Sequence, residues 1–278
     1  MIRIPQSAVD AMLEGDWSLS DLTTEGLGEL HDGRITGTFK TPGIIAGLPL
    51  ASRIFETTGC TFTAHVAEGD RVEAKVPLFT VEGTAEQIHA AYKLGQCVME
   101  YASGIAMRTR AMLDAARAVD PKVRVSGTRK HMPGGKLVSL LGLYAGGGIL
   151  HRAGLSDSIL VFDQHRVLAD APHEAVRGLV EREIERKVAV EVDSLEEALR
   201  YASLGVGIIQ FEKFEPSRLK EAVDELRRQY PHVTINAAGG INAENAALYA
   251  AAGVDVLVTS WPYFGKPHDV KMTFSRRD

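Results

Sequence analysis

The sequence predicts an α/β protein in which a mixed N-terminal part precedes a run of parallel β-α units closing toward a barrel. Three observations carry this expectation. First, apolar runs at Val123 to Ser126, Ile159 to Phe162, Lys187 to Val192, Gly207 to Phe211, Val233 to Asn236 and Val256 to Thr259 are separated by longer stretches. Those stretches include helical patterns at Ser194 to Leu204, Pro216 to Gln229 and Ala243 to Ala252. Strands spaced by helices form parallel β-α units. Second, each of the six runs ends in polar or glycine-rich residues, and in β/α barrels the C-terminal strand ends share one mouth. Third, residues 33 to 83 read instead as short β-rich pieces punctuated by glycine.

Taken in order, residues 5 to 14 form a short amphipathic helix, and Ser20 to Thr24 is a capping or turn segment. Strands are expected at Arg34 to Lys40, Gly43 to Ala46, Thr61 to Val66 and Pro77 to Glu82, with a helix at Leu50 to Thr58. Glu68 to Gly83 has the rhythm of a biotin- or lipoate-carrying barrel, but Lys75 lacks a hairpin-tip setting, so a structural hairpin is expected. Thr84 to Val119 is a long helical region linking two domains and interrupted near Ser103-Gly104. The expected division is 1–106 for the N-terminal domain, 107–260 for the barrel, and a 261–278 segment that packs back on the former.

The 278 residues suffice for one large or two medium domains, and 45% apolar with 24% charged residues describe an ordinary globular chain. A formal charge of -5 argues against nucleic acid as a partner and suits a small anionic metabolite bound in a local basic pocket. Cys60 and Cys97 are too few for a disulfide framework and read as core residues, which makes the cytoplasm the expected compartment. The N-terminus lacks a secretion-type apolar stretch. The glycine-broken run Leu137 to Leu150 is too short for a span, so no membrane insertion is expected.

Function concentrates between Val123 and His165. Arg129, Lys130, His151 and Arg152 lie near the glycines Gly146 to Gly148, and no Asp or Glu occurs between Val123 and Leu155. Converging cations with glycines that admit backbone N–H groups describe an anion site rather than a solvated helix face. Gly239-Gly240, ahead of a helix expected to start near Asn242, offers a second anion seat. Glu191 and Glu212 end neighbouring strands, where buried carboxylates call for a partner: Mg²⁺, substrate hydroxyls, or ion pairs with Arg129 and Lys130. A sugar phosphate with a leaving diphosphate matches this set, since carboxylates stabilise an oxocarbenium-like transition state while cations take up the departing charge.

The blocks Thr128-Arg129-Lys130-x-x-Pro133-Gly134, Gly146-Gly147-Gly148-x-x-His151-Arg152-x-Gly154-Leu155-x-Asp157, Asp163-x-His165, Glu191-Val192, Gly239-Gly240-Ile241 and Gly253-Val254-Asp255 resemble the quinolinate phosphoribosyltransferase family. Ser20 to Thr24 and Ser103 to Ala106 are similar to its N-terminal part. The resemblance implies an α/β sandwich domain followed by an open six-stranded α/β barrel, assembled as a homodimer with shared active sites. It implies phosphoribosyl diphosphate and a small nitrogen heterocycle as substrates. Lys130, Glu191 and Glu212 would be catalytic, the two glutamates holding Mg²⁺. Lys93, Thr128, Arg129, His151, Arg152, Phe162 and His165 would bind substrate, and Ala238, Gly239, Gly240, Thr259 and Ser260 the phosphate. Departures are informative: Phe162 stands for a lysine, Lys93 for an arginine, Glu212-Lys213 for Asp-Asn, Ala238 for serine and Gly127 for aspartate. Without the lysine, a carboxylate of quinolinate loses its partner, so a less charged heterocycle that stacks on Phe162 is expected. The pattern looks like the ModD branch of pyrophosphorylases associated with molybdate transport. The alternative is a catalytically silent protein binding a nucleotide or molybdate.

Overall fold

In the computed structural model, which describes residues 2–277, the chain divides into two compact units. One holds the chain up to Met107 with Met132–Gly147 and the chain from Tyr263 on; the other holds Arg108–His131 and Gly148–Pro262. Residues 132 to 147, expected within the barrel domain, thus belong to the first unit. Their apolar residues explain this, because Leu141 is buried in the first unit's core beside Val98 and Met99.

The first unit opens with α1 (Gln6–Asp16) and α2 (Leu22–Leu27). The Asp21 carboxylate caps α2 by accepting from the N–H groups of Thr23 and Thr24. There follow β1 (Gly33–Phe39), β2 (Gly43–Ile44), α3 (Leu48–Thr57), β3 (Thr61–Ala64), β4 (Arg71–Val72) and β5 (Pro77–Gly83). The expected Glu68 to Gly83 hairpin does not form: β4 pairs with β2, whereas β5 pairs with β1 and β3. The Glu68 carboxylate accepts from the N–H groups of Gly47 and Leu48 at 2.8 and 3.0 Å, tying its loop to the start of α3 rather than to β5.

Helix α4 (Ala85–Arg117) runs unbroken for 33 residues, correcting the expected interruption at Ser103-Gly104. The Ser103 hydroxyl accepts from Ala46 N–H at 3.0 Å, and a Cβ on Gly104 would lie 2.6 Å from the Lys266 carbonyl oxygen. The pair therefore marks a close backbone approach, not a helix break. Cys60 is buried but Cys97 is exposed. One residue before Val98 places Cys97 about 100° off the buried stripe of a helix.

The second unit contains β6 (Arg124–Gly127). After α5 (Lys136–Ala145) of the first unit it continues with β7 (Ile149–Leu150), β8 (Ile159–Val161), α6 (Asp163–Arg166) and α7 (Pro172–Arg182). Then come β9 (Val188–Val192), α8 (Leu195–Ser203), β10 (Ile208–Glu212), α9 (Pro216–Gln229), β11 (Thr234–Ala238), α10 (Ala246–Ala251) and β12 (Val256–Thr259). The sheet is parallel throughout, in the order β7-β6-β12-β11-β10-β9-β8. Its outer strands are not paired with each other, so it is an open half-barrel. It has one strand more than the six expected, because the two-residue β7 is too short to leave a periodic signal. The six predicted strands all form.

Alternation along these strands sorts side chains by face. Val190, Val192, Ile209, Phe211, Ile235, Ala237 and Leu257 pack in one buried cluster with Leu219, Val223 and Leu226 of α9. Leu160, Glu191, Gln210, Glu212, Ala238 and Val258 occupy the opposite face. The last strand, β13 (Val270–Arg276), pairs antiparallel with β1 and completes the first unit's sheet, β13-β1-β5-β3. Gly104→Val should lower the unfolding free energy by about 1–3 kcal/mol, as overpacking does. Denaturant titration checks this, with Gly154→Ala, whose Cβ would meet nothing within 4 Å, as the unaffected control.

Candidate active site

A cavity of about 520 Å³ opens at the C-terminal ends of the parallel strands. Thr128, Arg129, Lys130, His151, Arg152, Phe162, Glu191, Glu212, Ala238, Gly239, Gly240, Thr259 and Ser260 all line it. The two cationic blocks meet because β6 and β7 are neighbours, the His151 N–H donating to Gly127 O at 3.2 Å, while the Thr128 N–H donates to Thr259 O at 3.0 Å across the β6–β12 edge. The Thr128 hydroxyl accepts from Lys130 N–H at 3.1 Å and shapes the turn that presents Arg129 and Lys130.

The charges in this cavity are unpaired. Among the described residues, none of Arg129, Lys130, His151, Arg152, Glu191 and Glu212 forms a salt bridge. The expected alternative of structural ion pairs from Glu191 and Glu212 to Arg129 and Lys130 is therefore not realised. Arg152 is only 7% exposed, and its guanidinium lies 5.2 Å from the centre of the Phe162 ring. Burial lowers its pKa, and the Arg129 charge lowers it further. Burial, then the neighbouring Arg152 charge, lowers that of His151 and favours the neutral imidazole. Burial raises the Glu212 carboxyl, and the Glu191 charge adds to this against the opposing pull of Lys213 and Lys130.

The glycine seat differs from its expected form. Helix α10 starts at Ala246, not near Asn242, and has only six residues. The Asn242 and Asn245 side chains accept from nearby backbone N–H groups and hold the intervening turn. What remains is a pair of left-handed glycines, Gly239 (φ 92°) and Gly240 (φ 74°). A Cβ on Gly239 would lie 2.8 Å from Lys213 N and 3.0 Å from Glu212 Oε1, so glycine is required where this loop passes Glu212. Successive N–H groups in such a turn form an anion-binding nest.

Three expected contributors lie elsewhere. Gly146 to Gly148 do not line the cavity: Gly146 and Gly147 end α5 by donating to Gly142 O and Tyr144 O. His165 is exposed, and its Nδ1 accepts from Phe162 N–H at 3.0 Å while the two rings stack 5.4 Å apart, so it braces Phe162. Lys93 belongs to the first unit, where it donates to Gln96 at 3.1 Å. The cavity also contains Gln210 and Trp261, neither anticipated. Gln210 shares a strand face with Glu212 two residues on, so alternation could have found it; Trp261 leaves no such signal.

Unpaired cations and carboxylates gathered at the mouth of a parallel half-barrel define an enzyme site for a polyanionic small molecule. The models of the quinolinate phosphoribosyl transferase N-terminal and C-terminal domains match residues 21–103 and 105–273. The chain belongs to the quinolinate phosphoribosyltransferase family, a family of pentosyltransferases. A protein of Pasteurella multocida that carries the name pyrophosphorylase ModD is 33% identical, with 100% of both chains covered. The human nicotinate-nucleotide pyrophosphorylase (carboxylating) is 32% identical over 78% of this chain and 74% of its own. The crystal structure of NadC from Streptococcus pyogenes shares the fold, with a TM-score of 0.90 at 22% identity over 100% of both chains. No helix among the described residues is long and apolar enough to cross a membrane.

The two shifted groups give opposite pH signatures. His151, with its folded pKa below the unfolded value, contributes stability that is present above the unfolded pKa of about 6.5 and lost as pH falls below it. His151→Asn should therefore flatten the loss of unfolding free energy on acidification from pH 7 toward 5. Glu212, with its folded pKa raised, contributes stability present at low pH that is lost as pH rises through its folded pKa. Glu212→Gln should raise the melting temperature at pH 7 and change it less at pH 4.

Proposed function

We propose that the protein transfers a phosphoribosyl group between phosphoribosyl diphosphate and a ring nitrogen of an aromatic heterocycle less charged than quinolinate. The observation that carries this is the buried Arg152 guanidinium without an acid partner, in a cavity that also holds two carboxylates unpaired with any cation. Such a site is complementary to a ligand bearing anions at its ends and developing positive charge at its centre. Arg129, Lys130 and Arg152 hold the diphosphate, while the Gly239-Gly240 turn with Ala238, Thr259 and Ser260 receives the ribose phosphate. The bond from the anomeric carbon to diphosphate breaks with its electron pair leaving on oxygen. The ring nitrogen then supplies the pair for the new bond, and Glu191 and Glu212 stabilise the positive charge between these events. The Phe162 face, braced by His165, stacks the heterocycle. The reverse direction uses the same groups.

Glu191 and Glu212 also fit Mg²⁺. Burial, and after it the Glu191 charge, raises the cost of ionising Glu212, and a cation bound there would relieve it. An ion held by two carboxylates would complete its shell from phosphate and water. Bound there, Mg²⁺ would neutralise charge on the departing diphosphate. The proposal includes a cytoplasmic homodimer in which Lys93 serves the partner's site, and, from the ModD-like sequence, a role accompanying molybdate transport.

The test measures diphosphate release from phosphoribosyl diphosphate with Mg²⁺ and a panel of heterocycles. Turnover is expected with at least one of them, and Glu191→Gln should lower kcat by about 10²–10³-fold, the scale of a lost transition-state contact. Phe162→Lys should raise activity on quinolinate. Oxyanion binding without turnover on any heterocycle rejects transfer and leaves a silent anion-binding protein.

A further inference from the structure

Phe162 reaches the cavity from an element too small to hold itself. The residue is the N-cap of α6, a helix of four residues with none fully buried, and a single turn is far below the length at which a helix persists in water. Asp163, Gln164 and His165 are exposed. Arg166 differs, because its side chain is only 9% exposed and turns inward. Its Nη1 donates to Glu197 Oε1 at 2.8 Å, and its guanidinium carbon lies 5.5 Å from the centre of the Tyr201 ring. Glu197 and Tyr201 are four residues apart on α8, so one face of that helix supplies both contacts. The further partner of Arg166, Asp163 Oδ1 at 3.4 Å, belongs to the same turn and cannot anchor it.

Both ends of this link lead back to the site. The Glu197 N–H donates at 3.3 Å to the hydroxyl of Ser194, the N-cap of α8, which stands two residues beyond the β9 strand that carries Glu191. At the other end, Phe162 O accepts from the N–H groups of His165 and Arg166 at 3.1 and 3.3 Å, and Phe162 N–H donates to His165 Nδ1 at 3.0 Å. Val161 pairs with Val190 in the parallel register, so Phe162 and Glu191 are the next residues along neighbouring strands. We infer that Arg166 is a positioning residue: gripped by Glu197 and Tyr201, it orders the α6 turn and thereby holds the Phe162 ring where a heterocycle stacks beside Glu191. This inference rests on the phosphoribosyl-transfer reading for the identity of what stacks on Phe162, whereas the ordering of the turn does not depend on it. Arg166 is not among the residues that line the cavity, so its effect passes through Phe162.

Hydrogen exchange of the full chain, read by mass spectrometry over residues 162–168, tests the ordering. Arg166→Met keeps an unbranched side chain and removes its charge and donors. Exchange in that segment should speed up by about ten-fold or more, the scale of a lost hydrogen bond to a charged group, with α9 unchanged. Arg166→Lys, which retains the charge without the planar fork, should fall between the two. Transfer kinetics with nicotinate, nicotinamide and quinolinate as acceptors test the consequence. For any acceptor that turns over, Arg166→Met should raise its KM by about three- to ten-fold, the scale of one aromatic stack, and leave the KM for phosphoribosyl diphosphate unchanged. Arg166→Met combined with Phe162→Ala should be no weaker than Phe162→Ala alone, because a turn without its ring has nothing left to position. Unchanged exchange over 162–168, an equal rise in both KM values, or additive effects in the double variant overturns the inference. If Arg166→Met does not fold, Arg166→Lys and Glu197→Gln are compared in the same way. If none of the three acceptors turns over, the transfer reading loses its pyridine acceptors and the exchange result alone decides the role of Arg166.

Discussion

The register of the parallel strands is the constraint on which the site depends. Glu191, Gln210 and Asn236 lie side by side on β9, β10 and β11, and Glu212 and Ala238 form the next row toward the mouth. A slip of one residue in any strand would turn its polar set into the helix-facing core and its Val or Ile set into the cavity. The apolar face prevents that slip. Val190, Ile209, Phe211 and Ile235 are fully buried against the helices, and each would lose its transfer free energy of about 1.5–3 kcal/mol on exposure.

That core holds charges in an arrangement the free protein would otherwise avoid. Arg152 is buried without an acid, His151 is held toward its neutral form, and Glu212 sits beside Glu191 with its carboxyl pushed up. Acids and bases occupy one cavity without pairing, so each remains directed at a ligand. Such preorganisation lowers the stability of the free protein and removes the reorganisation cost when a substrate of matching charge arrives. Gly239 contributes by omission, since a side chain there would meet Lys213 and Glu212.

The sequence by itself determined the order and type of the elements in the second unit, because strand alternation and helical periodicity are local properties. It also determined which residue types would gather at the strand ends, and the departures at Phe162 and Glu212-Lys213 were already visible in it. Tertiary structure decided what depends on approach between distant segments. Ser103-Gly104 reads locally as a helix break but serves close packing against the Lys266 backbone. Gly146 to Gly148 read as an anion loop but close α5, and the Glu68 loop joins α3 instead of forming a hairpin. The Gly239-Gly240 turn lost its expected helix because Asn242 and Asn245 satisfy the intervening backbone locally. The setting of Gln210 belongs to the same class. Sequence shows a glutamine on a strand, and only the register brings its amide nitrogen within 2.8 Å of Glu191 Oε2 and its side chain against His151.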